Sequence, residues 1–150
     1  MGKRLTWLSL LMHLFSFQAS ADLRLNIKKV VSIPYPRLPA LAGIKGEVIV
    51  KFTISPDGGA NIVNVKGENN LLEQAAQQCL SLWRFEKPTR EETAEKVSHT
   101  LIFRFNLKGI CMNTSCPTRF EFEFPNLAII ETSSPHWQPE VVPKSGGDPN

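Results

Sequence analysis

The chain has 150 residues, 42% hydrophobic and 21% charged, with eleven prolines and three cysteines. That composition suits one packed domain and excludes a collagen-like repeat, a dense disulfide scaffold and wholesale disorder. Two of the three net positive charges sit at the start, where Lys3 and Arg4 precede an acid-free stretch to Ala21; the remainder carries 15 basic against 14 acidic residues, so no clustered basic face is left as a nucleic-acid footprint.

Met1-Gly2-Lys3-Arg4 is followed by an apolar run from Leu5 to Phe17, then by Gln18-Ala19-Ser20-Ala21. A positive start, an apolar run of about 7–15 residues and a small-x-small end mark a secretory signal peptide. A spanning helix needs about 20 apolar residues, so residues 1–21 are expected to be cleaved after Ala21. The mature chain is then periplasmic or secreted, with membrane contact only where the leader is kept as an anchor.

Residues 22–33 read as a linker. In Ile33-Pro34-Tyr35-Pro36 the prolines fix φ and bias Ile33 and Tyr35 towards extended shapes. Arg37 to Ile44 predicts a short helix with Pro36 at its first position. Val48, Val50, Phe52 and Ile54 then alternate with Glu47, Ile49, Lys51 and Thr53, the two-residue period of a half-buried strand. Ser55-Pro56-Asp57-Gly58-Gly59 is turn chemistry, and Ala60 to Lys66 resumes with Val63 and Val65 on one face, which predicts a β-hairpin.

Asn70 with Glu73 three residues on resembles a capping box. Leu72, Ala75, Ala76, Cys79, Leu82 and Trp83 follow on one helical stripe, in a helix expected to stop before Pro88. Residues 87–96 read as a charged loop. Val97 to Leu107 is the strongest strand, with Val97, His99, Leu101, Phe103, Phe105 and Leu107 sharing one face. Arg119 to Phe124 alternates Phe with Glu, Pro125-Asn126 makes a turn, and Leu127 to Thr132 predicts another strand. Phe120, Phe122 and Phe124 must pack on the main sheet or pair with their own successor, because bare aromatic edges aggregate. Residues 133–150 read as a disordered tail.

Cys111 and Cys116 bracket a short loop, and an oxidising compartment favours their pairing as a disulfide. Cys79, on the apolar stripe, reads as a small core residue. A zinc reading would recruit Cys111, Cys116, His99 and His136, but no second ligand pair stands at a regular spacing; no metal or other cofactor is assigned. There is no glycine-rich phosphate loop, His-Glu-x-x-His or serine elbow, so no catalytic residue is assigned either.

Tyr35-Pro36, Gly46 ten residues later, Val48-Ile49-Val50-Lys51-Phe52, Pro56-Asp57-Gly58, Trp83-Arg84-Phe85 and Pro88 together resemble the C-terminal domain of TonB. The likeness runs over residues 34–109. It implies an α+β fold, with an antiparallel three-stranded sheet packed on one main helix that ends in Trp83-Arg84-Phe85. Residues 110–132 would add a disulfide loop and a short β extension. The resemblance further implies a non-enzymatic periplasmic module in transmembrane transport, which captures an extended segment of a protein partner such as an outer-membrane receptor. Capture would proceed by β-augmentation, in which the peptide adds a strand to an open sheet edge.

The strand from Val97 to Phe105 (Val97, Ser98, His99, Thr100, Leu101, Ile102, Phe103, Arg104, Phe105) resembles the family's docking strand, and Tyr35 and Pro36 its approach region. Gly46, Asp57, Gly58, Trp83, Arg84 and Phe85 resemble its structural motifs. The dozen residues between Ala21 and Pro34 reach only about 40 Å, too little for this chain to transmit force across the envelope alone. An extension pairing with the Val97–Leu107 strand would make the protein a self-capped scaffold instead.

Overall fold

A computed structural model describes residues 25–87, 97–112 and 116–136. The expected leader, most of the charged loop and the tail beyond His136 lie outside them. The elements are β1 (Ile27–Lys29), α1 (Arg37–Leu41), β2 (Gly46–Ile54), β3 (Ala60–Gly67), α2 (Asn70–Ser81), β4 (Arg84–Phe85), β5 (His99–Cys111), β6 (Arg119–Glu123) and β7 (Leu127–Pro135). None of the described helices is long and apolar enough to cross a membrane.

The fold is α+β, but its main sheet has five strands rather than the three expected, in the order β3-β2-β5-β7-β6. The first three form the expected antiparallel core. β7 then lies parallel to β5, and β6 closes the far side antiparallel to β7. The extension therefore belongs to the sheet. Strand pairing also continues past Thr132 to Pro135, where the tail was expected to begin. On the other side of the domain, part of the expected linker forms β1, which pairs with β4 through Ile27–Phe85 and Lys29–Arg84.

The β2–β3 turn shows why its residue types matter. The Ser55 and Gly58 amides donate to the Gly59 and Ser55 carbonyls, both at 2.9 Å. Ser55 Oγ donates to the Asp57 carboxylate; that bond first, and the Gly59 amide second, lower the Asp57 pKa. Gly58 has φ +88°, and a Cβ there would lie 2.7 Å from the Phe85 carbonyl oxygen. The Phe85 amide donates to the Gly58 carbonyl at 2.9 Å. Only glycine lets the turn press against β4 in this way.

Beyond the turn, a bulge breaks the expected alternation. Lys51 pairs with Asn64, but Phe52 pairs with Ile62, which leaves Val63 as the extra residue. Val63 is consequently 66% exposed, and Ile62 packs against the core in its place. A bulge flips the face on which later side chains fall.

α2 begins one residue earlier than the capping-box reading placed it. Asn69 is the cap, its side chain accepting from the Leu71 and Leu72 amides. Glu73 reaches out instead to the Gly67 amide of β3, at 2.7 Å. The helix ends at Ser81, so Arg84-Phe85 is a strand rather than the helix terminus. Leu82, expected on the apolar stripe, is 45% exposed, and Leu80 takes its place in the core. α2, Trp83, Phe85 and the Ile33–Tyr35 segment bury one face of the sheet, formed by Val48, Val50, Phe52, Leu101, Phe103, Phe105, Ala128 and Ile130. The opposite face carries Glu47, Lys51 and Glu121 and is open to solvent.

Candidate functional site

The expected docking strand is an interior strand. β5 pairs with β2 from His99 to Phe105 and with β7 from Ile102 to Cys111. The Ile102 amide donates to the Asn126 carbonyl, 2.8 Å away, where β7 begins. The edge that Ile102, Phe103, Arg104 and Phe105 were expected to offer is thus filled by the chain itself. Leu101, Phe103 and Phe105 are wholly buried. Arg104, on the solvent face, pairs with Glu47 at 2.7 Å. His99 lies at the start of the strand, its ring centroid 5.6 Å from that of Phe52. Val97 and Ser98 precede it outside any strand.

The filling segment is bonded into the core. Ala128 lies opposite Phe103 and Ile130 opposite Phe105, and all four are fully buried. Phe120 and Phe122 of β6 stand roughly perpendicular to the Trp83 ring, with centroids 6.2 and 5.5 Å from it. Trp83 also contacts Phe103 and Phe85, and its Nε1 donates to the Val31 carbonyl at 2.9 Å. The indole therefore joins the helix end, the central strand, the N-terminal segment and the extension.

Tyr35 and Pro36 line an open cleft of about 620 Å³. Its walls come from α1 (Leu38), from the exposed side of α2 (Gln74, Gln78) and from the extension (Ser133, Pro135). The Tyr35 hydroxyl donates to the Ile44 carbonyl at 2.7 Å, and its ring meets Phe105 edge-on. Burial pushes its pKa up to about 12. The Tyr35 amide donates to Thr118 Oγ1 at 3.0 Å, and Thr132 Oγ1 donates to the Pro117 carbonyl at 3.0 Å. Sequence reasoning missed both threonines. It also missed Gln74 and Gln78, whose spacing of four, outside the apolar stripe, was the one signal available.

Cys111 and Cys116 form a disulfide with Cα atoms 5.9 Å apart, so their sulfurs are not thiolate ligands for zinc. Among the described residues no group of three or more His, Cys, Asp or Glu could hold a metal ion. Cys79 is a buried free thiol. Its pKa is pushed up to about 11, chiefly by burial, against the weaker opposing effect of hydrogen bonding.

These features, a helix-backed mixed sheet with an open apolar cleft at its margin, define the class as an α+β domain. The family described as Gram-negative bacterial TonB protein C-terminal matches residues 31–107, just over half of the chain. The chain belongs to the TonB C-terminal family. Among solved structures, the solution structure of the Pseudomonas aeruginosa TonB C-terminal domain is similar, with a TM-score of 0.42 and 24% identity, over 57% of this chain and 88% of that one. No curated protein matches the chain.

Proposed function

We propose that this protein is a non-enzymatic binding module of the bacterial envelope that engages a protein partner while its own sheet stays capped. The observation that carries this reading is β7 lying parallel along β5 from Ile102 to Cys111, where an augmenting peptide would otherwise settle. Displacing it would expose Ile130, and β6, which pairs with β7, would leave with it and strip Trp83 of Phe120 and Phe122. Each large side chain removed from a core position is worth about 1.5–3 kcal/mol. A free peptide would also compete with a strand whose short tether gives it an effective concentration on the order of millimolar. The capped scaffold is therefore the better reading, and the cleft beside Tyr35 and Pro36 is its recognition surface for an envelope partner such as an outer-membrane receptor.

Capture at β5 by β-augmentation is the second reading. The family match over residues 31–107, which takes in β5 as far as Leu107, is what favours it. It requires β6 and β7 to leave first.

Photo-crosslinking residues placed in the exported protein separate the two. Crosslinks from Leu38 and Gln74, both exposed at the cleft, to an envelope protein support the capped module. Crosslinks confined to Thr100 and Ile102 would favour capture at β5. Absence of protein adducts from all four positions would overturn both.

A further inference from the structure

The Tyr35–Pro36 cleft is walled in part by Cys116, Ser133 and Pro135, so β7 leaves the sheet along its rim. The exit is pinned there. The His136 amide donates to the Cys111 carbonyl at 2.8 Å, and Cys111 is bonded to Cys116. The chain that follows His136 therefore starts beside the cleft. It reads Trp137-Gln138-Pro139-Glu140-Val141-Val142-Pro143, and then a polar stretch from Lys144 to Asn150. The large apolar side chains of the tail are thus gathered next to the cleft. Reach is not limiting, since at ~3.4 Å per residue Trp137 lies within about 7 Å of Pro135, and Glu140 within about 17 Å.

The chemistry of the two surfaces matches. The cleft wall joins Tyr35 to Pro34 and Pro36, the kind of aromatic and proline surface that takes extended, proline-rich chains. Pro139 and Pro143 bias Gln138 and Val142 towards extended shapes, which lowers the ordering cost of docking. Gln74 and Gln78, one turn apart on the α2 wall, present amides able to donate to the carbonyls of such a chain. Charge selects the same segment. Among the described residues Arg37 is the one charged side chain lining the cleft. It is exposed and pairs with no carboxylate among them. Glu140 is the one charged residue from Trp137 to Pro143.

We infer that the segment from Trp137 to Pro143 docks in this cleft of its own chain, with the indole filling the apolar part and Glu140 against Arg37. Tethered at the rim, it acts at an effective concentration on the order of millimolar. One consequence rests on the function proposed above: where the cleft is the recognition surface, an envelope partner gains it by displacing the chain's own tail.

The test uses the full exported chain, isotopically labelled. Nuclear Overhauser contacts are expected from the Trp137 indole to Leu38 and to the Gln78 side-chain amide, within one chain. Trp137→Ala moves the side-chain amide resonances of Gln74 and Gln78 and leaves those of Phe103 and Ile130 in place. Arg37→Glu and Glu140→Arg each weaken the contacts, and combining the two substitutions restores them. Unchanged thermal unfolding of the variants verifies that they fold. An indole without contacts in the cleft would overturn the inference. So would contacts that arise only between labelled and unlabelled chains, or contacts indifferent to both charges. Photo-crosslinking from Leu38 separates the docked tail from the function proposed for the cleft. A several-fold rise in adducts with an envelope protein on Trp137→Ala supports both. Equal adduct yields with and without Trp137 would overturn the docked tail and keep the recognition surface. Indole contacts in the cleft, with no adduct from the wild type or from Trp137→Ala, would keep the docked tail and overturn the recognition surface.

Discussion

Trp83 and Phe122 stand edge to face, with ring centroids 5.5 Å apart and planes at 81°. The pair ties the end of α2 to a strand outside the family-matched region, so the extension completes the core of the domain.

Trp83→Ala removes a fully buried indole and should destabilise the protein by about 3–5 kcal/mol. Phe122→Ala, at a half-buried site, should cost about 1–3 kcal/mol. A double-mutant cycle in urea should return a coupling of about 0.5–1.5 kcal/mol. Strict additivity would mean that the rings do not touch.

Gly58→Ala should destabilise by at least about 2 kcal/mol, because the position needs φ +88° and a Cβ would meet the Phe85 carbonyl. Gly59→Ala, without that φ, serves as the comparison. Equal effects at both positions in thermal unfolding would remove the special role given to the Gly58–Phe85 contact.

Breaking the disulfide with Cys111→Ser should cost about 2 kcal/mol, as chain entropy predicts for so short a loop. Mass analysis under non-reducing conditions checks the bond first. Cys79, buried and with its pKa raised to about 11, should resist alkylation until denaturant is added. Fast labelling of the native protein at neutral pH would contradict its placement.

Stability should fall at alkaline pH. Tyr35 has its pKa raised to about 12 from 10.0, so the native state keeps a proton that the unfolded chain loses. The contribution is complete below pH 10 and fades as pH rises from there to about 12. Tyr35→Phe removes the hydrogen bond to Ile44, worth about 1 kcal/mol, and should flatten this part of the unfolding curve. Parallel curves for the two proteins in that range would show that Tyr35 is not desolvated.

The local elements were legible because their causes are local. Alternation marked β2, the apolar stripe marked α2 apart from Leu82, and the alternating Phe and Glu residues marked β6. Asn69 and Val63 were misread by one position, since a cap and a bulge depend on geometry that residue type only suggests. The position of β5 was hidden for a different reason. Whether a strand lies inside a sheet depends on a partner elsewhere in the chain, which no single period reveals. Two hints were present: Leu101-Ile102-Phe103 and Leu127-Ala128-Ile129-Ile130 are unbroken apolar runs, as strands that pair in parallel tend to be. The cleft joins Tyr35 to Thr118 and Ser133, and that could not be read before the extension had a place.

The central claim, that β7 fills the second edge of β5, is tested most directly by nuclear Overhauser contacts in the isotopically labelled protein. Backbone contacts in parallel register are expected, from Phe103 to the neighbourhood of Ala128 and from Phe105 to that of Ile130, with slowly exchanging β7 amides. Absence of these contacts, with rapid exchange of the Ile102 amide, would contradict it and return β5 to the edge of the sheet.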